Sequence, residues 1–297
     1  MTAPSPDGAL DALLDRLEGE GMRLRVWSVA ITFFGDAVAD RGGVIRLSAV
    51  QDITGRLRLE PGALRTAMSR LAQSGWLTRE RRGRASYYAL TAQKRAETEA
   101  ASARIYAAAA PARPDAWTLA FNPDASAQDD LRALGFGALE GGGWLGPAGA
   151  LDATAALPGV SAFAAPGHAA HLRRGLIGAS WGAPDAAARF QTVLRLLAPF
   201  EAALAGGFDA RTPAQWRDAA AARCLVIHLW RRAALRAPMP PADLAPDDWP
   251  AEAARAMAAR LHALLSPGAE AWLDACDGGP DGALPPRAVA ARARFGA

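Results

Sequence analysis

The chain has 297 residues, with 33 basic and 30 acidic side chains and a formal net charge of +3. At roughly 100–200 residues per domain this length predicts two or three domains, and 51% apolar with 21% charged residues excludes a disordered or collagen-like chain. The longest apolar stretch, Val26 to Phe34, is too short to span a bilayer, no charged-then-apolar leader opens the chain, and Cys224 and Cys276 make neither a disulfide framework nor a four-ligand zinc site. These features predict a soluble, cytoplasmic, multidomain protein. Alanine is about a quarter of the chain and Lys94 is the one lysine, a bias that points to a GC-rich genome rather than to a function.

A first helix is expected from Gly8 to Leu17, broken by Gly19 and Gly21. A second carries Leu24, Val26, Val29, Ala30 and Phe33 on apolar spacing and stops near Gly35-Asp36. Val44 to Leu47 reads as a short strand, and Ser48 is placed to N-cap a helix that buries Val50, Ile53 and Leu57. Pro61 opens the next helix at a position where its missing N–H costs little. There Leu64, Ala67, Met68 and Leu71 follow the i, i+3, i+4, i+7 spacing of a buried face. Arg65, Thr66, Ser69, Arg70 and Gln73 then share the exposed side, and Gly75 ends the helix as a C′ residue.

Trp76 to Glu80 and Ser86 to Leu90 read as two strands joined by a basic turn with Arg81, Arg82 and Arg84. From Arg65 to Arg95 eight basic residues stand against one acidic residue, Glu80. Helix, helix and arginine-tipped hairpin is the layout of a winged helix-turn-helix, in which the second helix enters the major groove and the wing meets phosphate. The DNA-binding candidates are accordingly Arg65, Thr66, Ser69, Arg70, Gln73, Arg81, Arg82 and Arg84, with Ser86 and Tyr87 on the returning strand. An ordinary helical bundle with a decorative hairpin is the alternative; helix face, charge and wing together favour DNA. Thr91 caps a helix from Ala92 to about Tyr106, and an Ala/Pro-rich linker follows over residues 107–114.

Beyond the linker, strands are expected at 117–121, 135–139 and 160–164, with helices at 126–134 and 148–157 and a further element opening at Trp144-Leu145, a pattern that suits a small α+β domain. Helices are then expected over 186–205, 213–234 and 251–265. Gly141 to Gly146 satisfies the G-x-G-x-x-G pattern, but no acid occurs between Ala153 and Pro184 and Pro147 follows at once, so a glycine turn is expected instead. Gly178-Ala179-Ser180-Trp181-Gly182 matches a nucleophile elbow, yet too little chain precedes Ser180 to supply the usual strands, and His228 sits in a helical run. His168/His171 and Cys224/His228 could each offer two metal ligands, but neither pair has neighbours to complete a site.

Phe33-Phe34-Gly35-Asp36, Leu64 to Leu71, Gly75-Trp76-Leu77, Ser86 to Thr91 and Ala103-Arg104-Ile105-Tyr106 together resemble the PaaX-like family of phenylacetic acid degradation repressors. Leu225 to Arg232 and Pro238 to Pro250 are similar to the family's carboxy-terminal signature. The resemblance implies an α+β protein of three domains. These are a winged helix-turn-helix over 1–106, a central ferredoxin-like, dimerising domain over 115–180, and a helical domain over 181–297. It further implies a repressor rather than an enzyme, without cofactor or metal, acting as a homodimer on a palindromic double-stranded operator and released by phenylacetyl-CoA. His228, Trp230, Arg231, Arg232 and Trp249 become the candidate effector residues, since a CoA thioester needs cations for phosphate and an aromatic slot for its acyl group. A different acyl-CoA effector, or an acyl-CoA hydrolase using Ser180, stays open at this point.

Overall fold

The computed structural model describes residues 6–110, 116–139, 142–166, 184–236, 245, 247–288 and 293–296. It is a mixed α and β structure with a three-stranded and a four-stranded antiparallel sheet. The chain divides into two compact units. The first comprises Met1–Ala107, Val193–Arg231 and Arg255–Ala297, and the second Ala108–Thr192 and Arg232–Ala254. No described helix is long and apolar enough to cross a membrane.

The first unit begins with α1 (Pro6–Gly19), whose Leu10, Leu13, Leu14 and Leu17 are all buried. Helix α2 (Val26–Phe33) continues into one π-helical turn, Phe34–Val38. Strand β1 (Val44–Arg46) leads into α3 (Leu47–Arg56), and α4 (Pro61–Gln73) follows. Arg46 occupies the N-cap of α3 and Ser48 lies inside its first turn, two residues past the capping position expected of it. Strands β2 (Leu77–Arg82) and β3 (Ala85–Leu90) form the hairpin, with β3 central in the order β1-β3-β2. Thr91 then caps α5 (Ala92–Ile105) by accepting from the Lys94 N–H.

The second unit holds β4 (Ala116–Phe121), α6 (Ala125–Ala133), β5 (Gly137–Ala138), β6 (Gly143–Pro147), α7 (Leu151–Ala155) and β7 (Ser161–Pro166), in sheet order β5-β6-β4-β7. Strand alternation sends Ala120 and Trp144 to one face, where they pack with Leu131, Phe136 and Ala150. Trp117 and Leu145 turn to the other face with Leu119, Leu139 and Ala165. Gly142 and Gly143 lead into β6, with Leu139 N–H donating to the Gly143 carbonyl at 2.6 Å and Gly142 N–H to the Leu139 carbonyl at 3.2 Å. Gly143 and Gly146 lie inside β6 rather than in a turn from a strand into a helix N-terminus, so the phosphate-cradling context is absent there.

Three long helices complete the chain: α8 (Pro184–Ala203), α9 (Pro213–Ala234) and α10 (Ala251–Ala275). Helix α10 continues ten residues past Leu265, through Pro267. An interior proline costs about 3 kcal/mol, but burial of Ala269, Trp272 and Leu273 beyond it outweighs that loss.

Candidate nucleic-acid interface

Helix α4 is held by Leu64, Met68 and Leu71, all buried, and Pro61 starts it at the first turn. Gly75, at φ +74, ends it in a Schellman arrangement: Trp76 N–H donates to the Leu71 carbonyl at 2.9 Å and Gly75 N–H to Ala72 at 3.3 Å. The helix is thereby fixed, and its other side faces solvent with Arg65, Thr66, Arg70 and Gln73 exposed and Ser69 half-buried. Thr66 Oγ1 donates back to the Gly62 carbonyl at 3.1 Å. Arg65 and Arg70 make no ion pair among the described residues, so each guanidinium keeps its donors for an incoming partner.

The hairpin pairs Arg82 with Ala85 across a two-residue turn, Gly83-Arg84. Arg81, Arg82 and Arg84 are all exposed at this tip, but they are not equivalent. Arg81 Nε donates to the Gly83 carbonyl at 3.1 Å and stiffens the turn. Arg82 Nε is taken by Glu80 at 2.7 Å, and its Nη1 lies 3.4 Å from both Asp281 Oδ1 and the Pro280 carbonyl. The Glu80 hydrogen bond and charge raise the Arg82 pKa. Arg84 forms no ion pair among the described residues. Ser86 is half-buried and accepts from Arg79 Nη2 at 3.1 Å, while Tyr87 is 8% exposed, with Arg82 lying 5.8 Å over its ring. Solvent-facing cations therefore come from α4, the end of β2 and the turn, with Ser86 and Tyr87 of β3 in contact with Arg79 and Arg82.

The five candidate effector residues are divided between the two units, His228, Trp230 and Arg231 in the first and Arg232 and Trp249 in the second. His228 is fully buried, its Nδ1 3.0 Å from Thr32 Oγ1 on α2. Trp230 is fully buried, with Nε1 donating to the Ile105 carbonyl at 2.8 Å. Arg231 Nε donates to Thr32 Oγ1 at 2.6 Å and its Nη2 to the Ser28 carbonyl and hydroxyl at 2.8 and 2.9 Å. These three side chains fasten α9 to α2 and to the end of α5. Arg232 is half-buried and belongs to the second unit, as does Trp249, which meets Phe190 edge-on at 5.8 Å.

Sequence reasoning missed the strongest electrostatic feature. Asp36, in the π-turn, is buried and accepts from Tyr106 Oη at 2.6 Å, Arg223 Nε at 2.9 Å and Arg294 Nη1 at 2.6 Å. His262 Nε2 stands 3.5 Å from the same carboxylate. Glu270 bridges Arg223 to Arg41, each at 2.6 Å, and Arg41 also donates to Asp274 at 2.7 Å. Burial pushes the Asp36 pKa up, but the Arg223 and Arg294 charges outweigh it and hold the carboxyl well below its usual range. The signal available was an acid inside the apolar Phe33 to Val38 run, which needs a buried cation wherever it is enclosed.

Cys224 is buried with its thiol 3.9 Å from the Val29 carbonyl, and burial pushes its pKa up, the opposite of an activated or metal-bound thiolate. Among the described residues no group of three or more His, Cys, Asp or Glu is placed to hold a metal. Ser180, His168 and His171 lie outside the described residues.

The fold and its surface define an α+β protein that presents a solvent-facing arginine helix beside an arginine-tipped hairpin. Comparison with known proteins narrows this class. Residues 25–94 match the PaaX-like protein family and residues 181–275 match the PaaX-like protein C-terminal domain, together more than half of the chain. The chain belongs to the PaaX-like family. It is 28% identical over 262 residues to the transcriptional repressor PaaX of Escherichia coli K12, covering 83% of this chain and 82% of that protein. A solved structure of an uncharacterized protein, Rv0674 from Mycobacterium tuberculosis, is 22% identical with a TM-score of 0.47, over 76% of this chain and 90% of the other.

Proposed function

We propose that the protein is a transcriptional repressor of phenylacetate catabolic genes, a homodimer that binds a palindromic operator and leaves it when phenylacetyl-CoA binds. The observation that carries the DNA reading is the set of exposed arginines on α4 and the hairpin turn that no acid of the described chain neutralises: Arg65, Arg70 and Arg84. In this reading residues 1–106 are a winged helix-turn-helix with α4 as its recognition helix, joined by a linker over 107–114 to the rest. Arg65 and Arg70 can make bidentate contacts to guanine, while Arg81, Arg82 and Arg84 neutralise phosphate. Thr66, Ser69 and Gln73 lie along the same side of α4, and Ser86 and Tyr87 buttress the wing.

Residues 115–180 are read as a ferredoxin-like domain. The β-α-β-β-α-β run with sheet order β5-β6-β4-β7 supports this. Its sheet carries an edge-to-face pair, Phe121 and Phe163, 38% and 57% exposed, and that apolar surface supports a dimer contact there. Residues 181–297 are read as a helical domain, and most of α9 and α10 shares a compact unit with α3 and α4. That arrangement supports transmission of an effector signal to the DNA-binding helices.

The test is fluorescence anisotropy on DNA from the promoter region, titrated with salt and then with phenylacetate, phenylacetyl-CoA and unrelated thioesters. Arg65→Ala and Arg70→Ala should each cost about 1–3 kcal/mol and relax specificity at one base position. Arg84→Ala should weaken all sequences alike and lower the salt slope, and Arg82→Ala should do less because Glu80 and Asp281 already hold it. Wild-type binding by all four variants would overturn the assignment.

A further inference from the structure

A groove of about 580 Å³ opens within the first unit between the start of α3, the start of α9 and the end of α10. Two indoles, Trp216 and Trp272, stand in its walls, and Arg46, Ser48, Asp52 and Arg217 supply much of its polar lining. Both indole N–H groups are already engaged. Trp216 Nε1 donates to the Ala210 carbonyl at 3.0 Å and Trp272 Nε1 to Asp52 Oδ2 at 3.2 Å. Trp216 is half-buried and Trp272 is 7% exposed, so Trp216 offers most of the ring surface to anything that enters and Trp272 an edge of the wall.

Arg217 is the incompletely satisfied cation. Its Nη1 reaches Asp52 Oδ1 only at 3.4 Å, and its Nε is buried with no hydrogen-bond partner among the described residues. The rest of the side chain is open, at 41% exposure, so the guanidinium can meet an anion that enters the groove from solvent. Asp52 is poorly placed to satisfy Arg217 further, because its other oxygen is held by Trp272. Arg46, also in the lining, is paired with Asp277 at 2.6 Å and offers less.

We propose that this groove binds a ligand that joins an aryl ring to an anionic group, the ring packed on Trp216 and Trp272 and the anion seated on Arg217. A volume of about 580 Å³ falls within the range of small-molecule sites. The proposal rests on the regulator reading above and gives the effector a location away from His228, Trp230 and Arg231, which pack α9 against α2 and the end of α5. Asp52 belongs to α3, Arg217 to α9 and Trp272 to α10. An anion that draws Arg217 from Asp52 changes a link between α3 and the carboxy-terminal helices, next to α4. A free aromatic carboxylate and an aromatic acyl-CoA share the required chemistry.

The test is isothermal titration of the full-length protein with phenylacetate, phenylacetyl-CoA and CoA itself. Binding of phenylacetate assigns the anion to the carboxylate, and binding of the thioester alone assigns it to the CoA phosphates. In either case Arg217→Gln should weaken the ligand by about tenfold or more, Trp216→Ala by a similar factor, and Arg217→Lys less than Arg217→Gln. Retained operator binding by each variant without ligand shows that it is folded. Equal affinity in wild type and Arg217→Gln overturns the proposal, as does CoA binding as tightly as its aryl thioester, loss confined to Arg232→Gln or Trp249→Phe, or no aryl ligand bound at all. A protein that binds the aryl ligand through Arg217 but no DNA would sink the repressor reading and leave the groove standing.

Discussion

Asp36→Asn removes one negative charge from the centre of the first unit while nearly keeping the side-chain shape. The carboxylate is 1% exposed and faces three donors within 2.9 Å, on Tyr106, Arg223 and Arg294. Asparagine keeps a single acceptor and turns an NH₂ group toward those donors, so two guanidinium groups lose their shared counter-charge. Neither is left wholly unpaired: Arg223 retains Glu270 at 2.6 Å and Arg294 retains Asp40 at 2.9 Å. Breaking a buried pair costs about 3–5 kcal/mol, and these second partners place the expected loss near the lower bound, about 3 kcal/mol. Urea denaturation followed by circular dichroism should show a lower Cm at unchanged m. The exposed Arg82–Asp281 pair is the control, where Asp281→Asn should cost about 0–1 kcal/mol. A loss at Asp36→Asn no larger than that control would refute the reasoning, because it would mean that the network gains nothing from being enclosed. The pH dependence has a definite sign. Asp36 has a folded pKa depressed below its ordinary value of 3.8, so its contribution is complete above that value and is lost as pH falls through the folded pKa.

His262 supplies a second pH-linked outcome: burial lowers its pKa below 6.5 despite the opposing pull of Asp36. Below 6.5 the unfolded chain takes up a proton that the folded chain resists, so stability should fall as pH drops from 6.5 toward the folded value, and His262→Gln should flatten that slope in urea titrations. In the second unit, a Cβ at Gly146 would sit 2.4 Å from the Phe136 ring, so Gly146→Ala should destabilise by about 1–3 kcal/mol through overpacking, and an unchanged melting temperature would contradict that contact. Trp230→Phe keeps the ring but loses the donor to the Ile105 carbonyl, a change expected to cost about 1–2 kcal/mol by the same urea assay.

Much of the local structure could be read directly from residue order, because its causes lie within a few residues of one another. Pro61 and Gly75 bracket α4, its apolar spacing places Leu64, Met68 and Leu71 inward, and Thr91 caps α5. The arginine hairpin followed from two β-rich runs and a Gly83 turn, and β2 merely runs two residues further, to Arg82. The candidate interface was less evenly legible. Adjacent strand residues point to opposite faces, and no local cue says that Tyr87 is covered while Arg81 and Arg84 are not. Arg82 looked like its neighbours until the chain brought Asp281 back beside it, almost 200 residues later.

By itself, then, residue order determined where helices begin and end, which stripe of α4 meets solvent, and where positive charge accumulates. Each is a property of a single helical turn or a short hairpin. Only the tertiary structure decided which charges are spent. Arg223, Arg41 and Arg294 are consumed by a buried network around Asp36 and Glu270, and Arg231 by Ser28 and Thr32. Arg65, Arg70 and Arg84 remain at the surface. Composition counts all of these arginines alike. Their separation into structural and available cations depends on partners that folding alone brings within hydrogen-bonding distance, where burial makes an unpaired charge too costly to keep.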